Sequence, residues 1–152
     1  MSLFSLDVTL TTAIGGAATG YTSAFTGFFH TIAVDKGDLA VTSDITITNE
    51  TTGEAIVTLT DVATDKAVHP RVLQQDAVGV NVAGEYTDVF VNGRVKIVVA
   101  QGGDAKSGTV RFDILGEGDA LAAAFASRVL TNPTGPAYVD NSKPPYLSDG
   151  SV

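Results

Sequence analysis

Cysteine is absent from this chain of 152 residues, so it can form no disulfide, no thiolate zinc site and no thiol nucleophile. That absence leaves the redox compartment open. Basic residues are few. Nine Lys and Arg against seventeen Asp and Glu give a formal net charge of −8, and the cations are scattered singly, so phosphate is repelled overall and nucleic acid is not an expected partner. Long apolar runs are also lacking: no window approaches the roughly 18 uninterrupted apolar residues of a membrane helix, and no membrane association is expected. The opening MSLFSLDVTLTT has neither a basic region nor a continuous apolar stretch, so no secretory signal is expected there. Histidine occurs twice, at His30 and His69, far apart and without a second histidine or a carboxylate at ligand spacing. No metal, cofactor or catalytic centre is therefore expected.

What the chain has instead is glycine spread along its whole length, with threonine and valine filling the segments between. That is the composition of an all-β domain with many turns. Phe4, Leu6, Val8 and Leu10 alternate with polar residues and predict a half-buried first strand, ended by Gly15-Gly16-Ala17-Ala18 as a turn or loop. Thr22 to Val34 reads as a long second strand, with Phe28, His30, Ile32 and Val34 on one face and a bulge or close approach at Gly27. Ile45 and Ile47 mark a short strand, Asn49 to Glu54 a hairpin loop, and Ala55 to Val62 the returning strand. Val68 to Val72 carries Pro70, which cannot donate to a ladder and places this piece at a sheet edge or outside it. Val78 to Ala83 reads as a loop and Glu85 to Val91 as a strand.

The organising stretch runs from Asn92 to Leu115. Asn92-Gly93 reads as a tight turn, and two β-branched runs, Val95 to Ala100 and Thr109 to Ile114, flank a polar connection from Gln101 to Gly108. This pattern predicts a hairpin. The second run alternates cleanly, whereas Ile97 to Ala100 is apolar throughout and suggests a strand covered on both faces. About eight short antiparallel strands in a β-sandwich or jelly roll, spanning residues 1–116, is the expected fold. Residues 117–152 form a C-terminal extension. Asp119 is placed to cap a short helix over Ala120 to Ala126, with Leu121 and Phe125 on its apolar face, and Asn132-Pro133 ends it. Beyond lies a Pro-, Gly-, Ser- and Asp-rich stretch that holds Tyr138, Pro144, Pro145, Tyr146 and Leu147, the composition of either a disordered tail or an arm laid along a neighbouring molecule.

Three superficial site signals have plainer readings. Gly102-Gly103 with Lys106-Ser107-Gly108 lacks the spacing of a phosphate loop and leads into a strand, so it reads as a hairpin loop. Asn49-Glu50-Thr51 matches a glycosylation acceptor by chance, and the aspartates sit singly in turns without the spacing of a calcium loop. Phe25, Phe28 and Phe29 read as core, with an outward-facing member serving as an interface anchor.

The run GRVKIVVAQGGDAKSGTVRFDI, together with DVTLTTAIGGAATGYT, DITITNETTGEAIVTLTDV and HPRVLQQDAVG, resembles a group of small structural proteins of tailed bacteriophages. The resemblance spans roughly Ser5 to Leu115. It implies a non-enzymatic virion component, made in the host cytoplasm, that decorates and cements the outer surface of a capsid between capsomers. The implied partners are the major capsid protein and further copies of the chain, as a trimer or dimer. Candidate interface residues are Leu3, Phe4, Phe125, Tyr138, Pro144, Pro145, Tyr146 and Leu147. Two other classes remain open: a carbohydrate- or receptor-binding module of a phage tail or fibre, and a polysaccharide hydrolase with paired carboxylates.

Overall fold

The computed structural model describes residues 2–118, which form one unit built entirely of antiparallel strands. Eleven strands follow in order: β1 (Ser2–Thr11), β2 (Ala18–Tyr21), β3 (Phe25–Asp35), β4 (Asp44–Asn49), β5 (Ala55–Leu59), β6 (Lys66–Val68), β7 (Arg71–Gln75), β8 (Asn81–Asp88), β9 (Phe90–Gly93), β10 (Val95–Ala100) and β11 (Ser107–Gly118). The strands exceed the expected eight because Ala18–Tyr21, which begins at the end of the loop expected over Gly15 to Ala18, pairs as a short strand. Glu85 to Val91, expected as one strand, is divided between β8, which starts inside the loop expected over Val78 to Ala83, and β9, and Pro70 divides a single expected piece into β6 and β7.

One sheet has the order β1-β11-β3-β6, with β9 also on β3; the other runs β2-β10-β4-β5. Their facing sides make the core. Val110, Phe112 and Ile114 of β11 and Val95, Ile97 and Val99 of β10 are all essentially excluded from water, together with Ile32, Ile45, Ile47 and Val91. Phe25, Phe29 and Phe112 pack as a chain of rings with centroids 5.8 Å apart at each step. These are the alternate residues of each strand, as a period of two requires when one face is buried.

The central hairpin expected from the sequence does not form. β10 pairs with β2 and β4, whereas β11 pairs with β1 and β3. The connection between them arches from one sheet to the other, with Gln101, Gly103 and Ala105 in the left-handed region at φ of 57°, 88° and 54°. A polar, glycine-bearing link serves a hairpin and an arch equally well; the arch prevails because it places two apolar strands centrally in opposing sheets, each with neighbours on both edges. The outer face of β10, Lys96, Val98 and Ala100, is half-buried rather than covered by a further layer. Asn92-Gly93 is likewise a crossing point between sheets and not a hairpin turn, since β9 belongs to the first sheet and β10 to the second.

Within β3 the bulge falls at His30, not Gly27. Thr31 lies opposite Asp113 and Phe29 opposite Ile114, which leaves His30 as the extra residue. The insertion switches faces: Ile32 and Val34 point inward on one side of it, Phe25, Gly27 and Phe29 on the other. The expected face of Phe28, His30, Ile32 and Val34 is therefore broken in the middle. Without the bulge, His30 and Phe28 would replace Phe29 and Phe25 in the core, so the ladder disruption is offset by burying two phenylalanines and leaving a polar ring in water. Val62 is fully buried although it lies beyond β5, in the loop that returns to Ser43 through a backbone hydrogen bond of 2.8 Å.

β7 and β8 form a separate two-stranded ribbon after Pro70, and every residue of β8 is exposed. Its tip is organised by Asp76, whose carboxylate accepts from the amides of Val78 and Val80 at 2.9 Å each. The expectations for the helix over residues 120–126 and for Phe125, Tyr138, Pro144, Pro145, Tyr146 and Leu147 lie outside the described residues.

Candidate functional surface

On the outer face of the first sheet, register brings four large apolar side chains into one row. Leu3 pairs with Leu115, Leu115 with Phe28, and Phe28 with Phe90. Leu3 is 63% exposed, Phe90 50% and Leu115 43%, and the Phe28 and Phe90 rings lie 5.1 Å apart. Each residue comes from a different strand. A contiguous apolar patch of this kind is unusual on a surface, where single exposed leucines are commonplace.

Polar rows flank it on both sides. On one side, Thr26 donates to the Asn92 carboxamide at 2.8 Å, next to Glu117. On the other, Ser5 donates to Asp113 at 2.6 Å while Arg111 reaches Asp113 at 3.2 Å and Ser5 at 3.0 Å. The Ser5 hydroxyl holds the Asp113 carboxyl below the usual aspartate range against the opposing effect of burial, and the Arg111 guanidinium adds to the lowering. Further along, Thr9 with Thr109 and Thr11 with Ser107 are bonded hydroxyl pairs across β1 and β11. The face therefore has an apolar stripe at one end and a laced polar field over the rest.

Of the residues singled out in the sequence, Leu3 lies in the stripe. Phe4 points the other way, into the mouth of the sandwich beside Phe25 at 6.5 Å, and is half-buried. Phe25 and Phe29 are core, whereas Phe28 is the outward-facing ring. Phe90 and Leu115 escaped the sequence reading. Neither carries a local signal, because each is one apolar residue in a strand, and only the pairing of β9 and β11 with β3 makes them neighbours.

The two histidines, 39 positions apart, come together with ring centroids at 6.1 Å. The bulge turns His30 outward, and His69, before Pro70, sits with Nδ1 3.1 Å from the His30 carbonyl oxygen. They border a cleft of about 210 Å³ floored by Phe28 and Leu115 and closed by Arg71 and Asp88, which form an ion pair at 3.0 Å. Among the described residues no three His, Asp or Glu side chains converge on a point where they could hold a metal ion.

The glycine-bearing link after β10 is consumed by its own bonds. The Gly102 amide donates to the Gly16 carbonyl at 2.8 Å, the Lys106 amide to the Thr12 hydroxyl at 2.9 Å and the Ser107 amide to Asp38 at 2.7 Å. Asn49, the residue of the glycosylation triplet, is buried and accepts the Thr51 amide at 3.0 Å, so its side chain is part of the turn. On the second sheet, Arg94 grips the Glu50 carboxylate through two nitrogens and lies 4.3 Å above the Tyr21 ring. That hydrogen bond lowers the Glu50 carboxyl and raises the Arg94 guanidinium from their ordinary values. No family model, curated protein or solved structure matches this chain.

Proposed function

We propose that the protein is a non-enzymatic decoration protein of a bacteriophage capsid, attached to the outer surface of the major capsid protein lattice through the stripe of Leu3, Phe28, Phe90 and Leu115. The observation that carries this reading is the stripe itself: four apolar side chains from four strands, held in register on a rigid sheet and rimmed by bonded polar rows. An apolar centre with a polar rim is the anatomy of a protein interface, and burying it supplies about 25 cal/mol per Å² before association costs. The resemblance to small phage structural proteins supplies the partner. Such a role needs no reaction centre; it needs a stable scaffold that presents a fixed surface. Incubation of the purified full-length protein with undecorated capsids of its own phage tests this. Stoichiometric co-sedimentation and a raised disruption temperature of the particle are expected, and a protein left wholly in the supernatant would overturn the reading.

A second reading, a carbohydrate- or receptor-binding module of a tail or fibre, draws on Tyr86, 57% exposed on the β7–β8 ribbon. Glycan-array binding lost in Tyr86→Ala would favour it over capsid decoration.

A further inference from the structure

The first sheet has one edge unlike the other edges of the sandwich. β1 runs ten residues in unbroken register with β11, and among the described residues no strand pairs with its other side. The other edges of the two sandwich sheets are protected in the usual ways: β6 has three residues and is followed by Pro70, β2 and β9 have four, and β5 is interrupted by a register shift opposite Ile47 and Thr48. In the separate ribbon, β8 is also unpaired on one side among the described residues, but its ladder with β7 carries a register shift and Gly84 stands in the left-handed region at φ 81°. β1, SLFSLDVTLT, has no lysine, no proline and no bulge.

Its hydrogen-bonding groups can be assigned by parity. The Thr12 amide donates to the Lys106 carbonyl at 2.8 Å, on the same register that pairs Ser2 with Gly116. Even-numbered residues of β1 therefore bond to β11, and Leu3, Ser5, Asp7, Thr9 and Thr11 direct their backbone N–H and C=O groups toward the open edge. A second observation coincides with the first. Phe4, Leu6 and Val8 point into the sandwich yet stay half-buried, while their partners Ile114, Phe112 and Val110 on β11 are 0–1% exposed. Among the described residues, the core is thus open along the same strand whose backbone lacks partners.

We infer that β1 pairs antiparallel with β1 of a second copy, which makes a two-fold dimer with one continuous sheet. An antiparallel strand pair is self-complementary, as a two-fold interface must be. Side chains keep their faces only if paired residues share parity, which leaves few registers. Centring on Asp7 would set two carboxylates opposite each other, a destabilising arrangement. Centring on Leu6 places Ser5 against Asp7, Phe4 against Val8 and Leu6 against its own copy, and continues the apolar interior across the junction. The two-fold axis then stands perpendicular to the sheet, so both copies present their outer faces on the same side. This dimer does not depend on what the outer face binds.

Light scattering of the full-length protein, with two kinds of variant, tests the inference. The wild type is expected at twice the chain mass. Asp7→Pro removes an N–H that faces the open edge and spares the β11 ladder, so it should give a folded protein whose monomer–dimer midpoint rises about tenfold or more in concentration. Leu6→Cys should oxidise to a covalent dimer, because facing residues of a non-bonded pair have Cα atoms about 4.5 Å apart, within disulfide range, whereas Thr9→Cys should not. A wild-type mass of one or three chains would overturn the inference. So would a dimer indifferent to Asp7→Pro, and should that variant fail to fold, cross-linking through Thr9→Cys but not Leu6→Cys would do the same.

Discussion

Gly27 and Gly116 face each other across β3 and β11, so close that a Cβ on Gly116 would stand 2.0 Å from the Thr26 carbonyl oxygen and 2.5 Å from the Gly27 Cα. The reverse holds too, with a Cβ on Gly27 only 2.5 Å from the Leu115 carbonyl oxygen. Two backbones in contact leave no flexible side chain to yield. This pair lies beside Leu115 and Phe28, so the close approach of the strands also sets the spacing of the apolar stripe.

Gly116→Ala is accordingly expected to destabilise the domain by about 1–3 kcal/mol, the range of overpacked sites, and to spread the stripe. Urea unfolding of the variant against wild type measures it. Gly53→Ala is the contrast, since a Cβ there meets nothing within 4 Å and the cost is confined to its left-handed φ of 77°.

Phe112 is fully buried at the centre of β11, with the Phe29 ring 5.8 Å away. Phe112→Ala should cost about 3–5 kcal/mol, from lost burial and the cavity left behind. Thermal denaturation followed by circular dichroism reports it, and a loss under 1 kcal/mol would mean that the two sheets do not share this core.

Phe90→Ser and Leu115→Ser alter exposed positions of the stripe, so their effect on folding should stay within about 1 kcal/mol. If the stripe is the capsid contact, each should weaken particle binding by about tenfold or more, the effect of losing an apolar anchor. Unchanged co-sedimentation of both variants would place the contact elsewhere.

The Ser5–Asp113–Arg111 group makes stability depend on acid. Because the folded state holds the Asp113 carboxyl below its ordinary range, its contribution is fully present above the unfolded value and is lost as pH falls through the lowered one. Ser5→Ala removes the largest cause and should bring Asp113 back toward the ordinary range, shrinking that acid-sensitive contribution. Melting temperatures of both proteins between about pH 2 and 6 should converge at the acid end.

Much of the architecture is legible in the residues alone. Alternation in β1, β4 and β11 reports one buried face, Pro70 reports a piece that lies at a sheet edge or outside it, and Asn49 to Glu54 reports a turn, because each depends on chemistry within a few positions. Strand partners are another matter. Val95 to Ala100 and Thr109 to Ile114 have the same local pattern whether they lie side by side or face each other across a core, and the choice belongs to β1, β2, β3 and β4, which flank them from distant parts of the chain. The His30 bulge was likewise decided by competition among Phe25, Phe28, Phe29 and His30 for the interior, a balance of burial that no local rule contains. The stripe is the clearest case. Leu3 and Leu115 are 112 positions apart, Phe28 and Phe90 62 apart, and no periodicity in the sequence relates them. Alternation along each strand is enough to demand sheets with one apolar and one polar face; pairing between strands selected which exceptions on the polar face became neighbours, because register is a property of two strands and never of one.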